Sequence, residues 1–166
     1  MKNSTVPMFS VGIVTVSDTR SEGRRADTTT AIIRRVLESG GFKVEQTLLV
    51  PDERKQIQTQ LKELADRRKL SLIVTTGGTG LGPRDVTPEA TKAVIEREVP
   101  GLPEAMRANT AAQSPLAWLS RSVGGLRGRT LIVNLPGSPQ AVEECLRVLL
   151  PLLPHALEMM DGHGHG

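Results

Sequence analysis

Residues 70–91, LSLIVTTGGTGLGPRDVTPEAT, constrain this chain more than any other stretch. Leu72, Ile73, Val74, Thr75 and Thr76 run without a charge, as a strand covered on both faces does. Gly77-Gly78 stop that strand. Gly77, Gly78, Gly80 and Gly82 let the backbone take positive φ and let a ligand approach main-chain N–H groups that a Cβ would obstruct. Thr87-Pro88-Glu89 then has the grammar of a helix start: an N-cap, a proline in the first turn and an acid facing the positive end of the dipole. Buried strand, glycine loop and helix N-terminus in this order form an anion site, the alternative being a purely structural strand-to-helix turn.

Arg84-Asp85 separates the two readings. An arginine there can fork onto phosphate oxygens, whereas an aspartate repels them unless a divalent metal lies between. Magnesium-assisted phosphoryl or nucleotidyl transfer is the simplest chemistry that uses both. The spacing G-T-G-L-G is not the dinucleotide fingerprint, and no Gly-Lys-Ser/Thr follows as a Walker A loop requires.

The rest of the chain alternates strands and helices. Phe9 to Val16 reads as a first buried strand ending in Ser17-Asp18, a polar loop at a strand's carboxyl end, where open α/β sheets bind ligands; self-capping of that loop is the competing reading. Asp27 to Leu37 is a helix stopped by Gly40-Gly41. Lys43 to Val50 is a second strand, and Asp52 at the next helix start has an ordinary role as N-cap. Thr87 to Arg97 reads as a helix, Leu102 to Arg107 as another. Trp118 is expected in the core or at a subunit contact, and Gly124-Gly125 as a bend between Arg121 and Arg127. Thr130 to Asn134 is the last strand; Asn134 can read a pterin or purine edge, or merely satisfy backbone. Pro136-Gly137-Ser138-Pro139 repeats the cap grammar before the closing helix, in which Cys145 is a small hydrophobe. His155 reads as structural, and His163 and His165 as part of a disordered tail without a metal framework.

At 166 residues one domain is expected, residues 1–166, with loose ends at 1–7 and 161–166. The alternation predicts an α/β fold, a three-layer α/β/α sandwich with a mainly parallel central sheet. Aromatic residues are confined to Phe9, Phe42 and Trp118, which denies the chain the stacking platforms of single-stranded nucleic-acid binders. The net charge of +3 is spread among acids, so a phosphorylated small molecule suits it better than DNA. One cysteine excludes an internal disulfide and a cysteine zinc site. No signal peptide or membrane-length span is visible, and a cytoplasmic protein is expected.

Several long motifs carry a family resemblance: TVSDTRSEG at 15–23, LVPDE at 49–53, the glycine loop with RDVTPEAT, EREVPGLPEAMR at 96–107, LSRSVGGLRG at 119–128, TLIVNLPGSPQAVEE at 130–144 and LPHALEMM at 153–160. The chain resembles the molybdenum-cofactor biosynthesis proteins of the MogA/MoaB type, which include the gephyrin G domain. The SR-VGG-RG segment and the intact RDVTPEA resemble the adenylylating branch more than MoaB-type relatives with a divergent loop. The resemblance implies a molybdopterin adenylyltransferase that moves AMP from ATP to the terminal phosphate of molybdopterin, with magnesium as cofactor. A non-catalytic pterin- or nucleotide-binding scaffold is the alternative, which would have no need of two carboxylates.

On that resemblance Asp85 and Asp52 are the catalytic, metal-holding pair. The substrate contacts are Ser17, Asp18, Thr76, Gly77, Gly78, Thr79, Gly80, Arg84, Thr87, Pro88, Glu89, Ser120, Arg121, Asn134, Pro136, Gly137 and Ser138. The resemblance further implies a homotrimer and a possible hand-over to a molybdenum insertase, with neither nucleic acid nor membrane as partner.

Overall fold

The computed structural model describes residues 8–24 and 26–162. The two histidines of the tail, His163 and His165, and the segment 1–7 lie outside the described residues. Asp161 and Gly162 do not hang loose: their N–H groups donate to Leu157, Glu158 and Met159 carbonyls and close the last helix.

Six strands form one sheet: β1 (Ser10–Val16), β2 (Lys43–Val50), β3 (Leu72–Thr76), β4 (Arg97–Glu98), β5 (Gly124–Arg127) and β6 (Thr130–Leu135), in the order β2-β1-β3-β6-β5-β4. The first four in that order pair in parallel; β5 and β4 complete the edge antiparallel. Side chains alternate with the period of two that a pleated strand imposes. Val11, Ile13, Leu72, Val74, Leu131 and Val133 face one layer, packing on α2 (Thr29–Ser39), α5 (Gly101–Thr110), α6 (Pro139–Leu149) and α7 (Leu153–Met160). Val14, Val16, Ile73 and Ile132 face the other, under α3 (Arg54–Lys62), its π-helical continuation Glu63–Arg67, and α4 (Thr87–Val94). The expected three-layer α/β/α sandwich is what forms. A short α1 (Asp18–Ser21) follows β1.

Several local expectations need correction. Thr87 is not a side-chain cap: its Oγ1 donates to the Gly77 carbonyl at 2.9 Å, and the position before the helix is Val86. Asp52 is not an N-cap either, because Glu53 occupies that place and no side chain caps α3. The helix read to Arg97 ends at Val94, where Ile95 turns extended (ψ 150°) and the chain enters β4. Trp118 is 60% exposed, in a 3-10 turn at Pro115–Leu119, and is not core.

Gly124-Gly125 is a strand rather than a bend; the turn of the β5–β6 hairpin lies at Gly128, with φ +54°. A Cβ on Gly125 would stand 2.5 Å from Ile95 Cδ1 and 2.7 Å from the Arg97 carbonyl oxygen. The glycine is there so that β4 can approach, a demand from packing that a turn-residue rule misreads. Gly125→Ala is therefore expected to cost about 1–3 kcal/mol, lowering Tm by roughly 2–4 °C per kcal/mol, readable in a thermal melt.

Candidate active site

The carboxyl ends of β3 and β6 open onto a cavity of about 690 Å³. One wall is the glycine loop (Gly78, Thr79, Gly80, Leu81, Asp85), and another is the turn Pro136-Gly137-Ser138. The remaining walls come from α5, the 3-10 turn and α6, including Met106, Arg107, Leu116, Leu119, Glu144 and Cys145. The cavity thus combines main-chain polar groups at the strand ends with an apolar helical lining.

The loop's shape follows from its glycines and threonines. Gly77 (φ +95°) and Gly78 (φ +69°) sit in the left-handed region, and a Cβ at Gly78 would fall 2.3 Å from Thr87 Oγ1. Thr87, wholly buried, anchors the loop through the Gly77 carbonyl. Thr76 anchors it from the other side, its Oγ1 donating to the Pro136 carbonyl at 2.7 Å and so tying the two strand ends together. Asp85 turns back on the loop: its Oδ2 accepts the Gly82 N–H at 2.9 Å and its own N–H donates to the Gly82 carbonyl.

Arg121 closes the arrangement. Its Nε donates to the Gly80 carbonyl at 2.8 Å, Nη2 to the Asp85 carbonyl at 2.7 Å, and Nη1 to Glu89. Glu89 is held below the usual carboxylate range by that hydrogen bond. The N–H groups of Gly78, Thr79, Gly80 and Leu81 have no acceptor among the described residues. Four successive unmatched N–H groups on a cavity wall suit anionic oxygens. At the opposite wall Ser138 caps α6, accepting the Ala141 N–H at 3.3 Å, and the positive end of that helix adds to the same potential.

Behind the loop lies a second acidic group. Asp18 and Asp52 exchange bonds reciprocally, each backbone N–H donating to the other's carboxylate at 2.9 Å. Asp52 Oδ1 lies 3.1 Å from the position a Cβ on Gly78 would take, so the carboxylate abuts the glycine loop. Burial pushes the Asp52 pKa up, and the negative charges of Asp18 and Asp85 push it further, against the opposing hydrogen bond from the Asp18 N–H. Asp18 moves the other way, because Arg84 grips it with two bonds, Nε to Oδ2 at 3.0 Å and Nη2 to Oδ1 at 3.1 Å.

Eight of the residues expected at the site line the cavity: Gly78, Thr79, Gly80, Asp85, Ser120, Pro136, Gly137 and Ser138. The others are placed elsewhere, each for a visible reason. Arg84 is turned to Asp18 and Glu53 and does not fork into the cavity. Arg121 is spent on the loop and faces a smaller cavity of about 320 Å³. Glu89 answers Arg121, and Pro88 is buried in the first turn of α4. Thr76, Gly77 and Thr87 are anchors; Gly77 also gives its N–H to the Leu135 carbonyl. Ser17 caps α1 through the Arg20 N–H, so the self-capping reading holds for it, and its partner Asp18 is occupied by Arg84.

Asn134 is turned into the interior. It is wholly buried, its Nδ2 donating to Thr75 Oγ1 and Thr91 Oγ1 at 2.9 Å each while Oδ1 accepts the Val123 N–H at 3.1 Å. It stitches β3, β6 and α4 to the segment entering β5. His155, exposed on α7, is not in the cavity wall.

Sequence reasoning missed the helical walls: Met106, Arg107, Leu116, Leu119, Glu144 and Cys145. They read as ordinary amphipathic-helix positions, and only Arg107, a cation at the end of the PGLPEAMR motif, carried a signal. Cys145 is buried, which pushes its thiol up to about 11 and leaves it unreactive at neutral pH.

Three comparisons bear on this geometry. Residues 12–155 match the family described as probable molybdopterin binding domain. A Helicobacter pylori molybdopterin adenylyltransferase is 38% identical over 158 residues, spanning 92% of this chain and 88% of that protein. The Drosophila melanogaster molybdenum cofactor synthesis protein cinnamon is 43% identical over 151 residues; the match takes in 90% of this chain but only 25% of that longer protein. Among solved structures, the Thermus thermophilus molybdopterin biosynthesis enzyme MoaB superposes with a TM-score of 0.90 at 55% identity, covering 95% of this chain and 99% of that one.

Asp52 carries a stability test. Its pKa is raised by folding, so its contribution to stability is full below the unfolded-state value near 3.8 and is lost as pH rises through the folded value. Asp52→Asn, which retains a carbonyl for the Asp18 N–H, is expected to raise Tm at pH 7, with the gain fading as pH falls toward 4; melts across that range check it.

Proposed function

Because the chain belongs to the probable molybdopterin binding domain family, we infer that it acts in molybdenum cofactor biosynthesis as a molybdopterin adenylyltransferase. An oxygen of the terminal phosphate of molybdopterin attacks the α-phosphorus of ATP. The new P–O bond forms as the bond from the α-phosphorus to the bridging oxygen breaks, and pyrophosphate leaves with that bond's electron pair. The observation that carries this reading is the run of four unmatched N–H groups, Gly78 to Leu81, beside Asp85 on the wall of one cavity.

Such a reaction asks a protein mainly to position reactants and neutralise charge. The loop N–H groups and the capped start of α6 meet phosphate oxygens from two sides of the cavity. The apolar surfaces of Met106, Leu116 and Leu119 suit the flat body of a pterin or purine.

Magnesium fits the donor set. Asp85 Oδ1 and Asp52 Oδ1 have no hydrogen-bond partner among the described residues, and no cluster of three acidic, histidine or cysteine side chains forms a cage there. One or two carboxylates, with substrate phosphates and water completing the shell, is the way proteins usually hold this ion. Asp85 and Asp52 are the residues that would hold it, and bound there it would supply neutralisation of phosphate charge. Asp52 must be ionised to do so.

We assign residues 1–166 to one domain working in the cytoplasm; among the described residues no helix is long and apolar enough to cross a membrane. We further assign the protein to a homotrimer that hands its product to a metal insertase. Trp118, 60% exposed beside the cavity-lining Leu116 and Leu119, supplies apolar surface that association would cover.

Purified protein incubated with molybdopterin, ATP and magnesium is expected to yield adenylylated molybdopterin, detected by mass. Asp85→Asn should lower the rate by about 10²–10³-fold with little change in Tm. A wild-type rate in that variant would remove Asp85 from the mechanism, and absence of product from folded wild-type protein would overturn the activity.

A further inference from the structure

One cation on the cavity wall has no role in the account above. Arg107, on α5, lies between the large cavity and the smaller one beside it and borders both. Its Nη1 donates to the carbonyls of Ser120 and Ser122, each at 3.2 Å, which fixes the guanidinium plane. Its Nε and Nη2 have no acceptor among the described residues, and no carboxylate there forms an ion pair with it. The two other arginines near the loop are neutralised: Arg84 by Asp18 and Glu53, Arg121 by Glu89. Among the described residues, Arg107 alone offers the cavity a positive charge whose capture displaces no partner, on a side chain already held in place.

The charges of the lining decide what it can take. Asp85, Glu144 and Arg107 are the charged side chains of the large cavity, two acids against one base. A triphosphate brings several negative charges, which the loop N–H groups, the start of α6 and a magnesium ion on Asp85 and Asp52 would share. A flat organic body bearing one phosphate monoester needs one guanidinium. Met106 and Leu116, on the same wall system as Arg107, supply the apolar surface for that body.

Resting on the adenylyltransferase reading, we propose that Arg107 binds the phosphate monoester of the pterin substrate from within the large cavity, through Nε and Nη2. It is thereby a residue that selects the phosphorylated pterin and sets its attacking oxygen, distinct from the groups that receive ATP.

Steady-state adenylylation with molybdopterin and magnesium-ATP varied separately tests this. Arg107→Gln should raise KM for molybdopterin by about tenfold to a hundredfold, the loss of a charge-assisted pair, and Arg107→Lys by less. KM for ATP should stay within about twofold in both. A loosened Ser120–Ser122 segment would raise both KM values, and that result, or an unchanged KM for molybdopterin, overturns the proposal. Pterin fluorescence titration without ATP separates this from the activity itself. If wild-type protein binds molybdopterin but forms no adenylylated product, the reaction is wrong while Arg107 is still tested: equal affinity in wild type and Arg107→Gln overturns it, and a tenfold loss supports it.

Discussion

The candidate site depends on one side chain's grip on a loop. Arg121 takes the carbonyls of Gly80 and Asp85 and the carboxylate of Glu89, three points spaced along a segment that glycine would otherwise leave free. A peptide plane has two polar faces, so fixing where its C=O points also fixes where the next N–H points. The Gly80 carbonyl held by Arg121 aims the Leu81 N–H away from that arginine, and the Thr79 carbonyl, which accepts the Arg121 N–H at 2.9 Å, does the same for the Gly80 N–H. The guanidinium serves as scaffold here, and its charge is balanced by Glu89 rather than offered to a ligand. Its planar fork can satisfy three acceptors at once, which a lysine ammonium could not do with the same geometry.

Buried hydroxyls and one amide carry the loop's other constraints. Thr87 holds Gly77, Thr76 holds Pro136, and Asn134 joins two threonines and a backbone amide in the interior. Each polar group is costly to bury alone and worth about 1 kcal/mol net when paired. Their value lies in specificity: an aliphatic residue at any of these positions would fill the space but leave the partner unsatisfied. Threonine and asparagine are therefore found in the core where the strand ends must be held in register with the loop between them.

The same residues mark where sequence reading stops. The uncharged runs at 72–76, 10–16 and 130–135 determine strands directly, because burial on two faces leaves a pattern in composition. Ser138-Pro139 determines a cap. By contrast, Thr87-Pro88 has the same local grammar and a different outcome, since Thr87 finds a better acceptor in Gly77 across the loop. Arg84 could not be assigned from its neighbours: its partners Asp18 and Glu53 lie 66 and 31 positions away and meet it only after folding. The cavity's helical walls were hidden for a related reason. A residue such as Leu116 lining a pocket and one buried under a helix follow the same periodicity, and only the packing of α5 against α6 decides which becomes lining.

Asp52 shows what the site costs the fold. Burial, and then the charges of Asp18 and Asp85, raise the pKa of the carboxylate placed beside Gly78. The Asp18 N–H and the Arg84 charge offset part of this, but Arg84 is drawn to Asp18, whose pKa falls as that of Asp52 rises. The arrangement polarises two adjacent aspartates into one that is held ionised and one that is not fully satisfied. A structural network would have given Asp52 a direct cation partner from the protein. Its absence among the described residues leaves an oxygen facing the glycine loop with unspent affinity for positive charge.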